Sequence, residues 1–335
     1  MEVDKSNLRE VILNSVRQIN APLVFFNELR LTRRPFNKIL ICGMGGSALM
    51  DDFFSYFQSS GFKPLSPKIP ILTHRSYGLP ADADQNTLIL CISYSGQTEE
   101  VLSAFDKAQE AGFEIAGITC GGELGELFQK FKTPWVKIPR DDIPPRTSLG
   151  YQLAAMVKIL LAYGLLSSDA QHAITPLPEK VIPANLENQA KMLCAKLDHK
   201  IPIVYASQNN RVLARLWKIK LNENAKIPAF YNSLPELNHN EMVGWTKNLG
   251  SFSIIFLRDK DDLPRIKKRM EVTADLLRAQ HMPIDFVDIA GDNPPEKIFW
   301  ASVFSDWLSY HLALFYGTDP TPVAMVEEMK KRLKE

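Results

Sequence analysis

Two short segments carry side chains suited to holding an anion. The first reads Ser93-Tyr94-Ser95-Gly96-Gln97-Thr98-Glu99-Glu100 and follows the apolar run 87–92. Ser93, Ser95 and Thr98 gather hydroxyls where an amphipathic stretch begins, and Gly96 permits close approach of the backbone. Hydroxyls beside the N–H groups of a helix start suit a phosphate monoester, whose oxygens accept several hydrogen bonds at once. A helix N-cap with Glu99 and Glu100 in its first turn needs only one such hydroxyl. The second segment is Gly43-Met44-Gly45-Gly46-Ser47, between the apolar run 38–42 and another amphipathic stretch. It also satisfies G-x-G-x-x-A, the dinucleotide fingerprint, which needs an acid at the end of the next strand, about 20 residues on. The next apolar run ends in Thr73-His74-Arg75 without an acid, leaving Arg75 as the residue that would face a 2′-phosphate. A plain glycine turn is the competing reading.

These loops need strands and helices to position them. The apolar bursts 38–42, 69–72, 87–92, 114–119 and 135–138 recur as 201–206, 228–232, 252–257 and 284–289. They are short and rich in Ile, Leu, Val and Phe, which predicts strands buried on both faces of parallel sheets. Helical spacing fills the gaps: Val101, Leu102, Phe105 and Ala108 form one stripe, and 148–165, 182–197, 208–225, 262–280 and 295–315 read similarly. The alternation predicts βαβ units and doubly wound α/β sheets, so both loops gather at a carboxyl edge. The polar, proline-bearing stretch 167–183 reads as a linker. Two similar α/β domains are therefore expected, 1–166 and 184–335; an old duplication would give this pattern, although the residue-level likeness between the halves is poor.

The chain has 335 residues with 39 Lys+Arg against 38 Asp+Glu, which excludes a nucleic-acid binder working through bulk basic charge. Cys42, Cys91, Cys120 and Cys194 are far apart, form no CxxC pair and read mainly as small buried thiols. The N-terminal stretch MEVDKSNLREVILNSVRQI lacks a signal-peptide core. No apolar run approaches the ~18–20 residues that span a bilayer. A cytoplasmic enzyme or binding protein without a membrane partner is the expectation.

The hydroxyl loop resembles the S-x-S-G-x-T-x-E loop of the sugar isomerase (SIS) domain, a flavodoxin-like fold that binds phosphosugars. The closer resemblance is to the bifunctional phosphoglucose/phosphomannose isomerases of the phosphoglucose isomerase superfamily, built from two SIS domains. It rests on ICGMGGS (41–47), SYSGQTEE (93–100), PRTSLGYQL (145–153), NENAKIPAFYNSLPELNHNEMVGW (222–245) and GTDPTPV (317–323). The resemblance implies that each domain is a parallel sheet with helices on both faces. It also implies interconversion of glucose 6-phosphate and mannose 6-phosphate with fructose 6-phosphate, needing neither metal nor organic cofactor.

Residue by residue, it implies phosphate binding by Gly45, Gly46, Ser47, Ser93, Ser95 and Thr98. Glu223, late in a helix among apolar and amide neighbours, is implied as the base that shuttles one proton. His239 lies in a polar cluster with Glu236, Asn238, Asn240 and Glu241. It is implied in ring opening from a neighbouring subunit, hence a homodimer. Arg146, its approach stiffened by Pro144 and Pro145, is implied in stabilising the enediolate. A C-terminal lysine is implied beside the ring oxygen; Lys330 is preferred over Lys331, and Lys334 is a third candidate. Thr318 or Thr321 is implied in leaving room for both C2 epimers. A sugar-phosphate sensor would keep Ser93–Thr98 without needing Glu223, His239 and Arg146 together. An amidotransferase would need a glutaminase domain with an N-terminal cysteine, and an isomerase of another 6-phosphosugar would share the loops.

Overall fold

A computed structural model describes residues 3–27, 35–141, 143–247 and 249–333. The chain divides into an N-terminal unit, Asn14–Val181 with Gly291–Glu296, and a C-terminal unit, Met1–Leu13, Ile182–Ala290 and Lys297–Glu335.

In the N-terminal unit the described strands are β1 (Val24–Phe26), β2 (Lys38–Gly43), β3 (Ile71–His74), β4 (Thr87–Ile92), β5 (Glu114–Thr119) and β6 (Trp135–Lys137). They form one sheet in the order β1-β6-β5-β4-β2-β3. All pairings are parallel except β1 on β6. Reading β2 to β6 as the first to fifth strands gives 2-1-3-4-5, the flavodoxin-like winding. Its direction reverses between β2 and β4, and every residue of β4 is buried. On one face Leu40, Ile89, Cys91 and Ile115 pack with Val101, Phe105, Phe128 and Trp135. Cys42 lies opposite Cys91, and all four cysteines are buried and free.

The sequence expectations hold for most elements, with local differences. The run 69–72 becomes a strand only from Ile71, after Pro70, which has no N–H to donate. The strand Val24–Phe26 was not expected because three residues show no period; it pairs at the edge and stacks Phe26 on Trp135 at 5.1 Å. The helix Gly122–Lys130 was also not expected, its two glycines masking the Leu124/Phe128 stripe. The stretch 167–183 is folded, with helices Ala170–Ile174 and Leu177–Lys180. Ala170, Ile174 and Leu177 are buried at helical spacing, and Pro176 and Pro178 fall at a helix start, where they cost little.

The C-terminal unit holds β7 (Ile201–Ser207), β8 (Phe230–Leu234), β9 (Phe252–Arg258) and β10 (Ile284–Asp288), all parallel in the order β10-β9-β7-β8. This is the 2-1-3-4 winding again, so the two units share a plan. The described residues up to Leu13 group here: Arg9 meets Glu187 at 2.7 Å and lies over the Trp307 ring. The helix Pro294–Phe315 is buried on several faces, including Trp300, Phe304, Trp307 and Leu308.

Among the described residues, the most deeply buried ion pair of this unit is Lys220–Asp306. Lys220 Nζ sits 2.8 Å from Asp306 Oδ1, both essentially inaccessible, joining the helix Arg211–Glu223 to Pro294–Phe315. Asn224 donates to Ser309 Oγ at 2.9 Å beside it. Removing one member of such a pair leaves a buried charge uncompensated. We predict that Asp306→Ala destabilises the protein by about 3–5 kcal/mol in urea unfolding, whereas Lys220→Met with Asp306→Leu restores most of the loss. Equal losses in the single and double variants would show that the pair is not balanced in this way.

Candidate active site

The site in the N-terminal unit starts from strand register. Gly43 lies opposite Ile92 in the parallel pair β2/β4. The glycine loop and the hydroxyl loop therefore leave the sheet side by side, at the reversal of strand order where such folds bind ligands. A side chain at Gly43 would meet the Ile92 carbonyl at 3.2 Å.

In the hydroxyl loop, Ser93 and Thr98 share a hydrogen bond of 2.8 Å between their hydroxyls. The Gly96 N–H donates to Ser93 Oγ at 3.1 Å, and the Gln97 N–H to Ser95 Oγ at 3.2 Å. Thr98 occupies the N-cap position of the helix Glu99–Glu110, yet its side chain makes no cap hydrogen bond. The cluster is thus organised as a loop of hydroxyls rather than as an N-cap. Gly96 has φ of +69°, and a Cβ there would fall 1.9 Å from the Gly121 carbonyl oxygen. The segment after β5 braces the loop from outside: the Leu124 N–H donates to the Gly96 carbonyl at 3.0 Å.

The glycine loop closes with the Ser47 N–H on the Met44 carbonyl at 3.1 Å, and the helix Leu49–Ser59 follows. Gly45 is exposed, whereas Gly46 and Ser47 are buried. A Cβ on Gly46 would lie 3.2 Å from the Arg146 Cα, so this glycine seats the arginine segment against the loop. Arg146 is 1% exposed, in the turn Pro145–Thr147, which excludes a solvated surface arginine. Gln18 donates to the Thr147 carbonyl at 2.9 Å and Ser148 Oγ to the Pro145 carbonyl at 2.7 Å, fixing that turn. The structure therefore brings Gly45, Gly46, Ser47, Ser93, Ser95, Thr98 and Arg146 to one sheet edge. Arg75 is engaged elsewhere, 3.5 Å from Asp52 and 3.8 Å from Asp51, which removes the residue the dinucleotide reading required.

In the C-terminal unit, Glu223 is the last residue of the helix Arg211–Glu223 and is half-buried. Lys226 Nζ bonds both the Glu223 carbonyl and, at 3.0 Å, the Pro320 carbonyl. The tail motif with Thr318 and Thr321 is thereby tied to the turn that ends in Glu223. His239 is exposed, in a short turn after β8. Topology separates the two. The helix after β7 runs back to the amino edge of the sheet before ending in Glu223, and β8 returns to the carboxyl edge before His239. The 13-residue helix and the sheet it spans put these edges about 15–20 Å apart. Lys330 and Lys331 are exposed on the helix Ala324–Arg332, which buries no residue, and Lys334 lies outside the described residues.

The sequence did not point to how the carboxyl edge of the second sheet is used. Asn210 donates to Ser207 at 3.1 Å, to Asp259 at 3.0 Å and to Asp262 at 3.3 Å. Lys297 grips both oxygens of Asp259 at 2.7 and 2.8 Å and also meets Asp261 at 2.6 Å. Burial, with help from Asp259, pushes the Asp262 carboxyl above its usual range. Carboxylates occupy the place that hydroxyls and glycines hold in the first sheet, so this edge disfavours a phosphate. The signal was the acid run Asp259-Lys260-Asp261-Asp262 after β9, with Lys297 remote in sequence.

Comparison with known proteins first fixes the class. Residues 186–333 match the bacterial phospho-glucose isomerase C-terminal SIS domain. The C-terminal domain of glucosamine-fructose-6-phosphate aminotransferase from Francisella tularensis has a similar fold, with TM-score 0.68 and 15% identity over 93% of this chain and 95% of that one. Tagatose-6-phosphate ketose/aldose isomerase from Escherichia coli superposes with TM-score 0.62 and 15% identity, over 94% and 88% of the two chains. Sequence relatives are more specific. The bifunctional phosphoglucose/phosphomannose isomerase of Caldicellulosiruptor bescii is 35% identical over 311 residues, 89% of this chain and 90% of the relative. That of Aquifex aeolicus is 31% identical over 304 residues, 90% and 92% of the two chains. The chain belongs to the bifunctional phosphoglucose/phosphomannose isomerase family.

Gly96→Ala tests the hydroxyl loop. The added Cβ must displace Gly121 or the loop, and positive φ adds strain of roughly 1–3 kcal/mol. We predict that this variant stays folded but binds 6-phosphosugars roughly tenfold or more weakly, the affinity cost of ~1.4 kcal/mol. Wild-type affinity by calorimetry would show that the loop is not the phosphate anchor.

Proposed function

We propose that this protein interconverts glucose 6-phosphate and mannose 6-phosphate with fructose 6-phosphate. The single observation that carries this reading is the edge where Ser93, Ser95 and Thr98, the glycine loop and buried Arg146 meet in the family's fold. The phosphate sits on hydroxyls and N–H groups of Gly45, Gly46, Ser47, Ser93, Ser95 and Thr98. With the phosphate fixed, the sugar carbons are held for proton transfer.

The reaction begins with ring opening. A proton leaves the C1 hydroxyl and another reaches the ring oxygen, giving the free aldehyde. His239 serves this exchange, with Lys330 as the second group. Glu223 then removes the proton from C2, and the electron pair forms the C1–C2 double bond of an enediolate. The guanidinium of Arg146 stabilises the negative oxygen. A proton passes from O2 to O1, the C2–O2 carbonyl forms as the double-bond pair takes a proton at C1, and the ketose is complete. In the reverse direction the enediolate accepts a proton at C2. That carbon is planar in the intermediate, so protonation on either face gives glucose or mannose 6-phosphate. Thr318 or Thr321, on the motif tied to the turn of Glu223, sets the room that rotation about the C2–C3 bond needs.

Glu223 and His239 lie at opposite edges of one sheet, so one chain does not offer both to a single substrate. This supports a homodimer in which a second copy supplies His239. Val243 and Leu249, 64% and 92% exposed in the segment after His239, give that meeting an apolar surface. Among the described residues no cluster of His, Cys, Asp and Glu suits a metal, and no helix is long and apolar enough to cross a membrane.

Glu223→Gln, assayed for fructose 6-phosphate formation with EDTA present, is the direct test. Turnover of both aldose phosphates should fall about 10²–10⁴-fold while the 6-phosphosugar still raises the melting temperature. Retained turnover of either sugar would remove Glu223 from the base role. Binding without turnover in the wild type would favour a sensor.

A further inference from the structure

Around His239, an unusually complete set of contacts holds the backbone while leaving the histidine exposed. Asn238 donates to Thr273 Oγ1 at 2.8 Å and receives a bond from Arg269 at 3.3 Å, fastening the amino side to the helix Pro264–Ala279. On the other side, Asn240 donates to Glu236 Oε1 at 2.8 Å. Its own side-chain oxygen accepts from the Glu241 N–H at 2.6 Å, capping the short helix Glu241–Gly244.

Glu241 makes the connection to the sheet. Tyr205 Oη donates to its Oε1, and Asn232 Nδ2 donates to its Oε2. Tyr205 and Asn232 lie opposite one another in the β7/β8 pair, so one carboxylate spans two neighbouring strands. The Trp245 indole N–H donates to Tyr205 Oη at 3.0 Å, closing the loop on itself. Burial, together with Glu241, raises the Tyr205 phenol well above its ordinary value, keeping it a donor. Tyr205 is itself held by an edge-on Phe256 at 5.5 Å.

We propose that Glu241 is a positioning residue for ring opening: its carboxylate, clamped by Tyr205 and Asn232, fixes the segment that presents His239. The proposal rests on the assignment of His239 to ring opening. A helix of four residues has no cooperative stability of its own. Its orientation therefore depends on this clamp, and loss of either carboxylate bond lets the histidine wander from the position where proton exchange is efficient. Small misplacements of such a group cost large factors in rate.

A double-mutant cycle on the full chain separates the outcomes. Glu241→Ala and, more mildly, Tyr205→Phe are compared with His239→Ala, alone and combined, using glucose 6-phosphate at high enzyme concentration. Spontaneous ring opening sustains a residual rate in His239→Ala. We expect Glu241→Ala to lower kcat roughly 10–100-fold with KM changed less than about threefold. Tyr205→Phe should lower kcat a few-fold, and neither should lower it further in the His239→Ala background. Glu241→Gln keeps an acceptor and should recover part of the rate. Should Glu241→Ala fail to fold, Tyr205→Phe and Glu241→Gln carry the same cycle. Multiplicative losses in the combined variants overturn the proposal and leave Glu241 a structural residue. An unchanged rate in His239→Ala itself overturns the assignment of that histidine instead.

Discussion

The parallel pairing of β2 with β4 is the constraint on which the candidate site of the N-terminal unit depends. It places Gly43 beside Ile92 and so launches two loops together from one edge. Everything added there uses the absence of a side chain. Gly96 lets the hydroxyl loop close against the Gly121 carbonyl, and Gly46 lets the arginine turn rest on the glycine loop. Slipping β4 by one residue would turn its buried side chains over and carry the hydroxyl loop away from its partner. Packing of the sheet core is thus also what sets the spacing of the anion site.

The second sheet repeats the winding and uses it differently. At its reversal, Asn210 and Lys297 both donate to Asp259, and these groups fill the edge with their own charges. The residues proposed for chemistry lie elsewhere: Glu223 at the end of a returning helix and His239 beyond β8. The helix carrying Glu223 is held from inside by Lys220 and Asp306, one turn earlier. A buried pair of this kind adds little net stability, but it favours one register of the helix against its neighbour. Such a support suits the base role proposed for Glu223, whose carboxylate would have to meet a particular carbon.

Much of this was legible in the sequence because local chemistry announced it. Runs of Ile, Leu and Val such as 87–92 are strands in any buried parallel sheet. Three hydroxyls and a glycine before Glu99 exceed what a helix cap needs, and Thr98 in fact does not cap. Arg146 was visible from its prolines, although its burial depends on Gly46, more than ninety residues away in the chain. What the sequence hid was non-local. Stretch 167–183 looked like a linker because its prolines outweigh a three-residue apolar stripe. The grouping of Leu8 and Arg9 with the C-terminal unit depends on Glu187 and Trp307. The plug formed by Asp259 and Lys297 and the clamp on Glu241 join residues whose spacing follows no motif.

The central claim is that one enediolate leads to both aldoses. Its most direct test is to incubate the protein with fructose 6-phosphate in D2O and follow the products by NMR. Glucose 6-phosphate and mannose 6-phosphate should both form, each carrying solvent deuterium at C2, since the base exchanges its proton with water between removal and return. Protium alone at C2 would show that the hydrogen is carried without meeting water, as in a hydride shift, and a single labelled aldose would indicate that only one face of the intermediate is protonated. Either result would contradict the account.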